Sequence, residues 1–164
     1  MADSKGNKLK LSVVTPYQNF YDGEVSSLIL PTTDGDIGFM AGHTPMVVAL
    51  KPGIATVRVD DDTARFTVSE GFAEISAKSI TVVCNSAEYP DDIKFVKMCK
   101  SYKEAQEDLE RAKLIVDKEA RLVATKEIQQ KVDRFKARRH IIEMYGTQDQ
   151  KERLAKRLEE YGIN

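Results

Sequence analysis

A glycine-rich segment of this chain reads Asp34-Gly35-Asp36-Ile37-Gly38-Phe39-Met40-Ala41-Gly42-His43-Thr44-Pro45. It separates two apolar runs, residues 27–30 and 46–50, and this position predicts a connection between two β-strands. Three glycines and one proline in twelve residues imply backbone angles that most residues adopt only at a cost. The segment also carries Ile37, Phe39 and Met40, which a free solvent loop has little reason to hold. We therefore predict a loop that folds onto the protein or onto a partner.

Short apolar stretches alternate with turn signals throughout residues 1–90. Leu9, Leu11 and Val13 alternate with polar residues, which is the pattern of a half-buried strand. Residues 19–23 end in Asp-Gly and are predicted to form a turn. The predicted strands are residues 8–15, 24–30, 46–50, 54–59, 65–68, 71–75 and 79–84. Seven or more short strands without a helical period indicate an all-β domain, an antiparallel sandwich or barrel.

After Pro90 the composition changes, because no glycine or proline occurs from residue 91 to residue 145. An apolar seam of coiled-coil spacing, interrupted only by Glu119, consists of Tyr102, Ala105, Leu109, Ala112, Val116, Glu119 and Val123. A second stripe consists of Ile128, Val132, Phe135, Ile142 and Tyr145. The five-residue step between the two stripes predicts a break between helices at residues 124–127. The alternative is one unbroken helix of about 50 residues, since nothing in the local chemistry forces a turn.

Beyond Gly146, Leu154, Leu158 and Tyr161 recur at helical spacing and predict a short third amphipathic helix. The net charge of −1 is divided unevenly, with −4 in residues 1–90 and +3 in residues 91–164. We therefore predict two units with different partners.

The sequence also excludes several classes of protein. No apolar run approaches the roughly 20 residues of a membrane-spanning helix. Residues 1–6 lack the apolar core of a signal peptide, which favours a cytosolic protein. Cys84 and Cys99 lack the spacing of a zinc site, and both are predicted to be small buried hydrophobic residues.

No motif in the sequence indicates a catalytic site or a cofactor site. His43 has no nucleophile or orienting acid at a recognisable spacing, and we expect it to fix its own loop by hydrogen bonds. The glycines do not form a phosphate-binding motif, so no cofactor is predicted. The hypotheses left open by the residues alone are a coiled-coil adaptor with a protein-binding sandwich, and a small hydrolase with His43 as its base.

Several motifs in order resemble the epsilon subunit family of the F-type ATP synthase. They are Leu11-Ser12-Val13-Val14-Thr15-Pro16, Phe20-Tyr21-Asp22-Gly23-Glu24-Val25, Gly35-Asp36-Ile37-Gly38, Gly42-His43-Thr44-Pro45, Ala49-Leu50-Lys51-Pro52-Gly53, Gly71-Phe72-Ala73-Glu74-Ile75 and Ile80-Thr81-Val82-Val83. The resemblance covers residues 9–88, about half of the chain, and beyond Pro90 it is one of architecture only. It implies an all-β sandwich in residues 1–90, followed by an α-helical hairpin with a short extension in residues 91–164.

The resemblance further implies a non-catalytic subunit of the central stalk, which couples proton translocation to ATP synthesis. In that family the sandwich binds the gamma subunit and sits on the c-ring. The helical hairpin folds down on the sandwich or extends toward the alpha and beta catalytic subunits, where it inhibits ATP hydrolysis. The implied location is peripheral, at the cytoplasmic face of the bacterial inner membrane.

The resemblance also suggests roles for individual residues. Asp36 is expected to face the c-ring and His43 the gamma subunit. Phe39 and Met40 are expected to lie in an apolar patch covered by gamma. Arg138 and Arg139 belong to a cationic stretch of the second helix, expected to meet an acidic segment of the beta subunits. Two alternatives for this cationic stretch are a solvated helix face and a nucleic-acid-binding surface. The net charge of −1 weakens the nucleic-acid interpretation.

Some members of the family bind ATP through an Asp-x-x-Arg-Ala motif at the start of the first helix. Lys94, Lys97 and Met98 occupy the corresponding positions here. Lysine cannot make the forked contact that arginine makes with phosphate oxygens. We therefore predict that the chain does not bind ATP tightly.

Overall fold

The computed structural model describes residues 7–164, which form two compact units. The first unit ends at Tyr89 and the second begins at Pro90. The sequence expectation about a signal peptide concerns residues 1–6 and lies outside the described residues.

The first unit is built from ten strands: β1 (Leu9–Val14), β2 (Asn19–Val25), β3 (Ser27–Thr32), β4 (Gly35–Phe39), β5 (Met46–Leu50), β6 (Gly53–Val59), β7 (Asp62–Val68), β8 (Gly71–Ile75), β9 (Ser79–Cys84) and β10 (Ala87–Glu88). Their hydrogen-bonded order is β10-β7-β6-β3-β5-β8-β9-β1-β2, and β4 pairs with β3. All pairs are antiparallel except β1 with β9. β3 and β5 share only the pair Thr32 and Leu50, and the sheet folds over at this point. The predicted β-sandwich is confirmed.

The core lies between the two layers of this folded sheet. Leu9, Leu11 and Val13 are fully buried, as their alternation predicts. The rings of Phe20 in β2 and Phe66 in β7 lie 5.0 Å apart, although their strands do not pair. Aromatic packing of this kind therefore joins the layers.

The predicted turn at residues 19–23 is wrong, because these residues belong to β2. β2 pairs along the whole of β1, with Gly23 opposite Leu11 and Tyr21 opposite Val13. The ring of Tyr21 also stacks near Phe66, at 6.4 Å between centroids. Cross-strand pairing and core packing therefore override the local turn signal.

The second unit contains three helices, α1 (Phe95–Ala112), α2 (Lys118–Tyr145) and α3 (Gln148–Glu160), preceded by a 3₁₀ turn at Pro90–Asp92. α3 confirms the predicted third helix. The predicted break at residues 124–127 is wrong, as is the unbroken alternative, because the chain turns between Ala112 and Lys118. Asp117 explains the position of the turn, since its Oδ1 accepts a hydrogen bond from the Ala120 N–H at 2.7 Å. A side-chain cap fixes the start of a helix more directly than a change in apolar phase.

The predicted apolar seam holds only as far as this turn. Ala105 and Ala112 are buried with Ile128 of α2, whereas Val116 is 93% exposed. Tyr102 of α1 and Phe135 of α2 stack with ring centroids 4.0 Å apart. The α1–α2 contact in this region therefore consists of this aromatic stack and an apolar cluster around Ala105, Ala112 and Ile128, against which Leu109 and Val132 also pack.

Candidate functional site: the β4 segment and the outer sheet face

The glycine-rich segment begins as a strand rather than as a simple connection. Residues 35–39 form β4, which pairs with β3 through a tight turn at residues 33–34. Thr32 closes this turn, because its Oγ1 donates to the Gly35 carbonyl at 2.6 Å and accepts from the Asp34 N–H at 3.2 Å. Gly35 has φ +113°, a conformation that side-chain-bearing residues rarely adopt. Asp36 consequently stands exposed at the end of a rigid hairpin.

Phe39 is not a surface residue, which corrects the expected patch of Phe39 and Met40. Its side chain is fully buried in the sandwich core, and its backbone lies opposite Leu28. Alternation along β4 explains the difference, since successive side chains of a strand point to opposite faces. Met40 follows the strand and is 64% exposed. Phe39 therefore anchors the segment, and Met40 alone of the two is available to a partner.

His43 fixes its own loop, as expected from the residues. Its Nδ1 lies 2.9 Å from the Thr44 carbonyl oxygen, and its ring meets the Phe39 ring edge-on at 5.1 Å. The Gly42 N–H donates to the carbonyl of Ala77, in the β8–β9 turn, at 2.8 Å. The loop that carries Met40 and His43 is thus held against the end of the β8–β9 hairpin.

An exposed apolar row crosses four neighbouring strands of the sheet, at the end of the β8–β9 hairpin that lies away from its turn. Ala49 of β5 pairs with Phe72 of β8, Phe72 with Val83 of β9, and Val83 with Val14 of β1. Phe72 is 48% exposed and Val83 is 36% exposed. We call these four residues, Val14, Ala49, Phe72 and Val83, the apolar row. An apolar strip on the solvent side of a sheet is a common mark of a protein-binding surface.

Sequence reasoning missed the apolar row, although a signal for it exists. Ala73 and Val82 are buried, so the residues that alternate with them should face solvent and be polar. Phe72 and Val83 occupy such positions and are apolar. Position 71 has no room for a side chain, because a Cβ there would overlap the Val83 carbonyl oxygen. β8 and β9 therefore approach closely where the row crosses them.

Arg139, one of the two predicted cations of the helical unit, is already engaged within it. Arg138 and Arg139 are both half-buried rather than on a solvated stripe. Arg139 bonds to Glu143 Oε1 at 2.6 Å, and its Nη1 donates to the Asn164 carbonyl at 3.2 Å. Burial lowers the pKa of the neighbouring Arg134, and the charge of Arg138 lowers it further. This part of α2 is crowded with positive charge that internal partners partly offset.

The start of α1 carries the positions expected to bear on ATP binding. Met98 is buried, and Lys94 lies at the N-cap without a side-chain cap. Within residues 7–164 no cluster of three or more His, Cys, Asp or Glu side chains could hold a metal ion. None of the helices in this same range is long and apolar enough to cross a membrane. Cys84 and Cys99 are both buried, as predicted.

The fold defines a two-part class of protein, in which a β-sandwich that carries an exposed apolar row is followed by a small helical unit. Residues 8–90 match the family model of the ATP synthase delta/epsilon chain β-sandwich domain. Since this match covers half of the chain, the chain belongs to that family.

Named relatives extend the likeness beyond the sandwich. The chain is 32% identical to the ATP synthase epsilon chain of Prochloron didemni over 129 residues, which are 79% of this chain and 95% of that one. It is 35% identical to ATP synthase epsilon chain 2 of Nitrobacter hamburgensis over 130 residues, 79% of this chain and 90% of the relative. The protein is therefore an epsilon subunit of the ATP synthase central stalk and is not itself catalytic.

A solved structure shows the same fold at low identity. A chain in the OSCP/F1/c-ring assembly of the Euglena gracilis mitochondrial ATP synthase matches with a TM-score of 0.62 and 20% identity. The match covers 84% of this chain and 83% of that one.

Proposed function

We propose that this subunit works in the rotor, where its sandwich binds the gamma subunit and rests on the c-ring. In this position it couples proton translocation to ATP synthesis. The observation that carries the proposal is the apolar row, which runs over four strands of a rigid sheet. A rotor subunit must transmit torque, and a broad contact on a packed sheet resists deformation better than a loop contact does.

Met40 and His43 extend the proposed gamma-binding surface beyond the row. Their loop is tied to the β8–β9 turn by the Gly42–Ala77 hydrogen bond, and the row crosses this same hairpin. Burial of a large apolar side chain contributes about 1.5–3 kcal/mol. Met40→Asp should therefore weaken assembly with gamma by roughly tenfold or more.

Asp36 is the proposed contact to the c-ring. The carboxylate is exposed on β4, one residue beyond a turn that Gly35 and Thr32 hold in place. A charged group on a fixed hairpin can meet a polar surface without first paying to order its backbone.

The helical unit is the proposed regulatory element, with the alpha and beta catalytic subunits as its partners. Arg138 and Arg139 would meet acidic groups there, but Arg139 must first leave Glu143 and Asn164. Deletion of residues 91–164 is expected to raise ATP hydrolysis and to leave assembly intact. The proposed location is peripheral, on the cytoplasmic face of the bacterial inner membrane.

The test is reconstitution with an ATPase depleted of its epsilon subunit, measuring gamma binding and proton pumping. Phe72→Asp places a charge in the apolar row and should weaken gamma binding by roughly tenfold or more. Ile29→Asp is the matched control, because Ile29 is 41% exposed on β3, in the other part of the sheet. If the two variants bound gamma equally well, the apolar row would not be part of the interface. Failure of the wild-type chain to bind gamma would favour the coiled-coil adaptor instead.

A further inference from the structure

We propose that α3 with its flanking residues, 147–164, is a latch that keeps α1 and α2 paired and can detach from them as a local unit. α3 packs against both α1 and α2. The apolar side chains that it contributes, Leu154 and Leu158, are buried, as is Ile163 beyond the helix. The latch thus covers both helices of the hairpin at once. Its role in regulation rests on the function proposed above, whereas its detachment can be measured independently.

The latch carries its own helix-stabilising contacts. Thr147 Oγ1 accepts from the Gln150 N–H at 3.2 Å, and Gln150 Oε1 accepts from the Thr147 N–H at 2.8 Å. This capping box satisfies two backbone donors at the start of α3. Arg153 pairs with Asp149 one turn earlier in the same helix. These contacts lie inside α3, so detachment of α3 from its neighbours does not itself break them.

Hydrogen bonds at both ends tie the latch to the rest of the helical unit, and Arg153 of α3 lies over the ring of Phe95 at 5.7 Å. Gln150 Nε2 donates to Asp91 Oδ1 at 2.7 Å, just before α1. Arg139 of α2 donates to the Asn164 carbonyl at the other end of the latch. Segments with few buried contacts open at a lower free energy than the core of a domain. The latch should therefore open far more often than the sandwich unfolds.

Direct contacts between α1 and α2 remain when the latch is detached. Ala105, Ala112 and Ile128 form the buried cluster between these helices. Leu109, Ile115, Ala124 and Val132 pack against this cluster, and two of its three central members are alanines, which bury little apolar area. The Tyr102–Phe135 stack, with ring centroids 4.0 Å apart, adds to this contact. Detachment of α3 removes the contacts that it makes with both helices, so it lowers the free energy needed to separate α1 from α2.

Cys99 provides a direct reporter of this step. It is fully buried in α1, and the charges of Arg157 and Glu160 of α3 act on its thiol. Burial raises the pKa of Cys99, so a closed latch suppresses both access to the thiol and formation of the reactive thiolate. Cys84 is buried in the sandwich core and reports on that unit separately.

The experiment measures the rate of N-ethylmaleimide labelling of each cysteine in the full-length chain by mass spectrometry. Leu154→Asp places a charge in the buried face of the latch, and Ala155→Asp makes the same change on its exposed face. We expect Leu154→Asp to speed labelling of Cys99 by about tenfold or more, with Cys84 unchanged. Ala155→Asp should leave both rates near those of the wild type. Equal Cys99 rates in the two variants would overturn the proposal.

A second variant allows the proposal to be tested even if Leu154→Asp does not fold. Asp91→Ala removes one tie from outside the latch, and should speed labelling of Cys99 by about two- to tenfold. If Cys84 accelerated equally in Asp91→Ala, opening would be global and the latch would be excluded. Each variant is also tested in the reconstituted ATPase. Faster Cys99 labelling without any change in ATP hydrolysis would support the latch and contradict the regulatory role of the helical unit.

Discussion

Phe39 and Met40 are adjacent, yet the structure predicts opposite consequences when each is replaced by alanine. Phe39 is fully buried among core side chains, while Met40 is 64% exposed. Removal of a buried phenylalanine side chain costs about 3–5 kcal/mol, because the lost burial is compounded by a cavity. Substitution of an exposed side chain usually changes stability by less than about 0.5 kcal/mol. Phe39→Ala should thus destabilise the sandwich, and Met40→Ala should not.

Cys84 allows the effect to be measured in the sandwich alone, because it is buried there and labels only when that unit opens. Each 1.4 kcal/mol corresponds to a tenfold change in an equilibrium constant, so Phe39→Ala should speed Cys84 labelling by about two to three and a half orders of magnitude. Cys99 serves as the internal control, because it lies in the helical unit. An acceleration of less than tenfold in Phe39→Ala would refute the assignment of Phe39 to the core.

Four further outcomes are expected. Asp117→Ala should destabilise the start of α2 by about 1 kcal/mol, seen as faster amide exchange in its first turn. Gly71→Ala should strongly lower the melting temperature, because its Cβ would overlap the Val83 carbonyl, whereas Gly23→Ala meets only ordinary contacts and should change it little. Burial raises the pKa of Cys84, so the unfolded state loses its proton first and the free energy of unfolding should fall as pH rises through about 9. Cys84→Ala should flatten that fall, and an unchanged slope would contradict it. Calorimetry with ATP should show no micromolar affinity for the wild-type chain.

The sandwich could be predicted from the sequence because its strands alternate. Leu9, Leu11 and Val13 are buried where the alternation places them. The strand at residues 19–25 could not be found this way, since its Asp-Gly pair is a turn signal that only pairing with β1 overrides. Sequence rules based on neighbouring residues therefore identify elements that their own residues favour. They fail where pairing with another strand overrides the local preference.

In the helical unit, too, some elements could be predicted from the sequence and others could not. The capping box at Thr147 and Gln150 follows from residues three apart, and the short third helix was predictable. The turn before Lys118 was not, because apolar periodicity continues past Asp117 although Val116 is exposed. The apolar row also could not be predicted, because it depends on which strands are neighbours. Phe72 and Val83 are found to lie side by side only when the register of β8 and β9 is known.

The parallel pairing of β1 with β9 has a consequence for synthesis on the ribosome. Leu11 of β1 lies opposite Ile80 of β9, so the first strand finds this partner only after nearly the whole sandwich has been made. At about 5–20 residues per second, β1 waits roughly 3–14 s after its own translation. Until then, the edge of β1 that pairs with β9 has no native partner. Its unpaired N–H and C=O groups can pair only with temporary partners, so the nascent chain depends on rapid pairing with β9 or on chaperones.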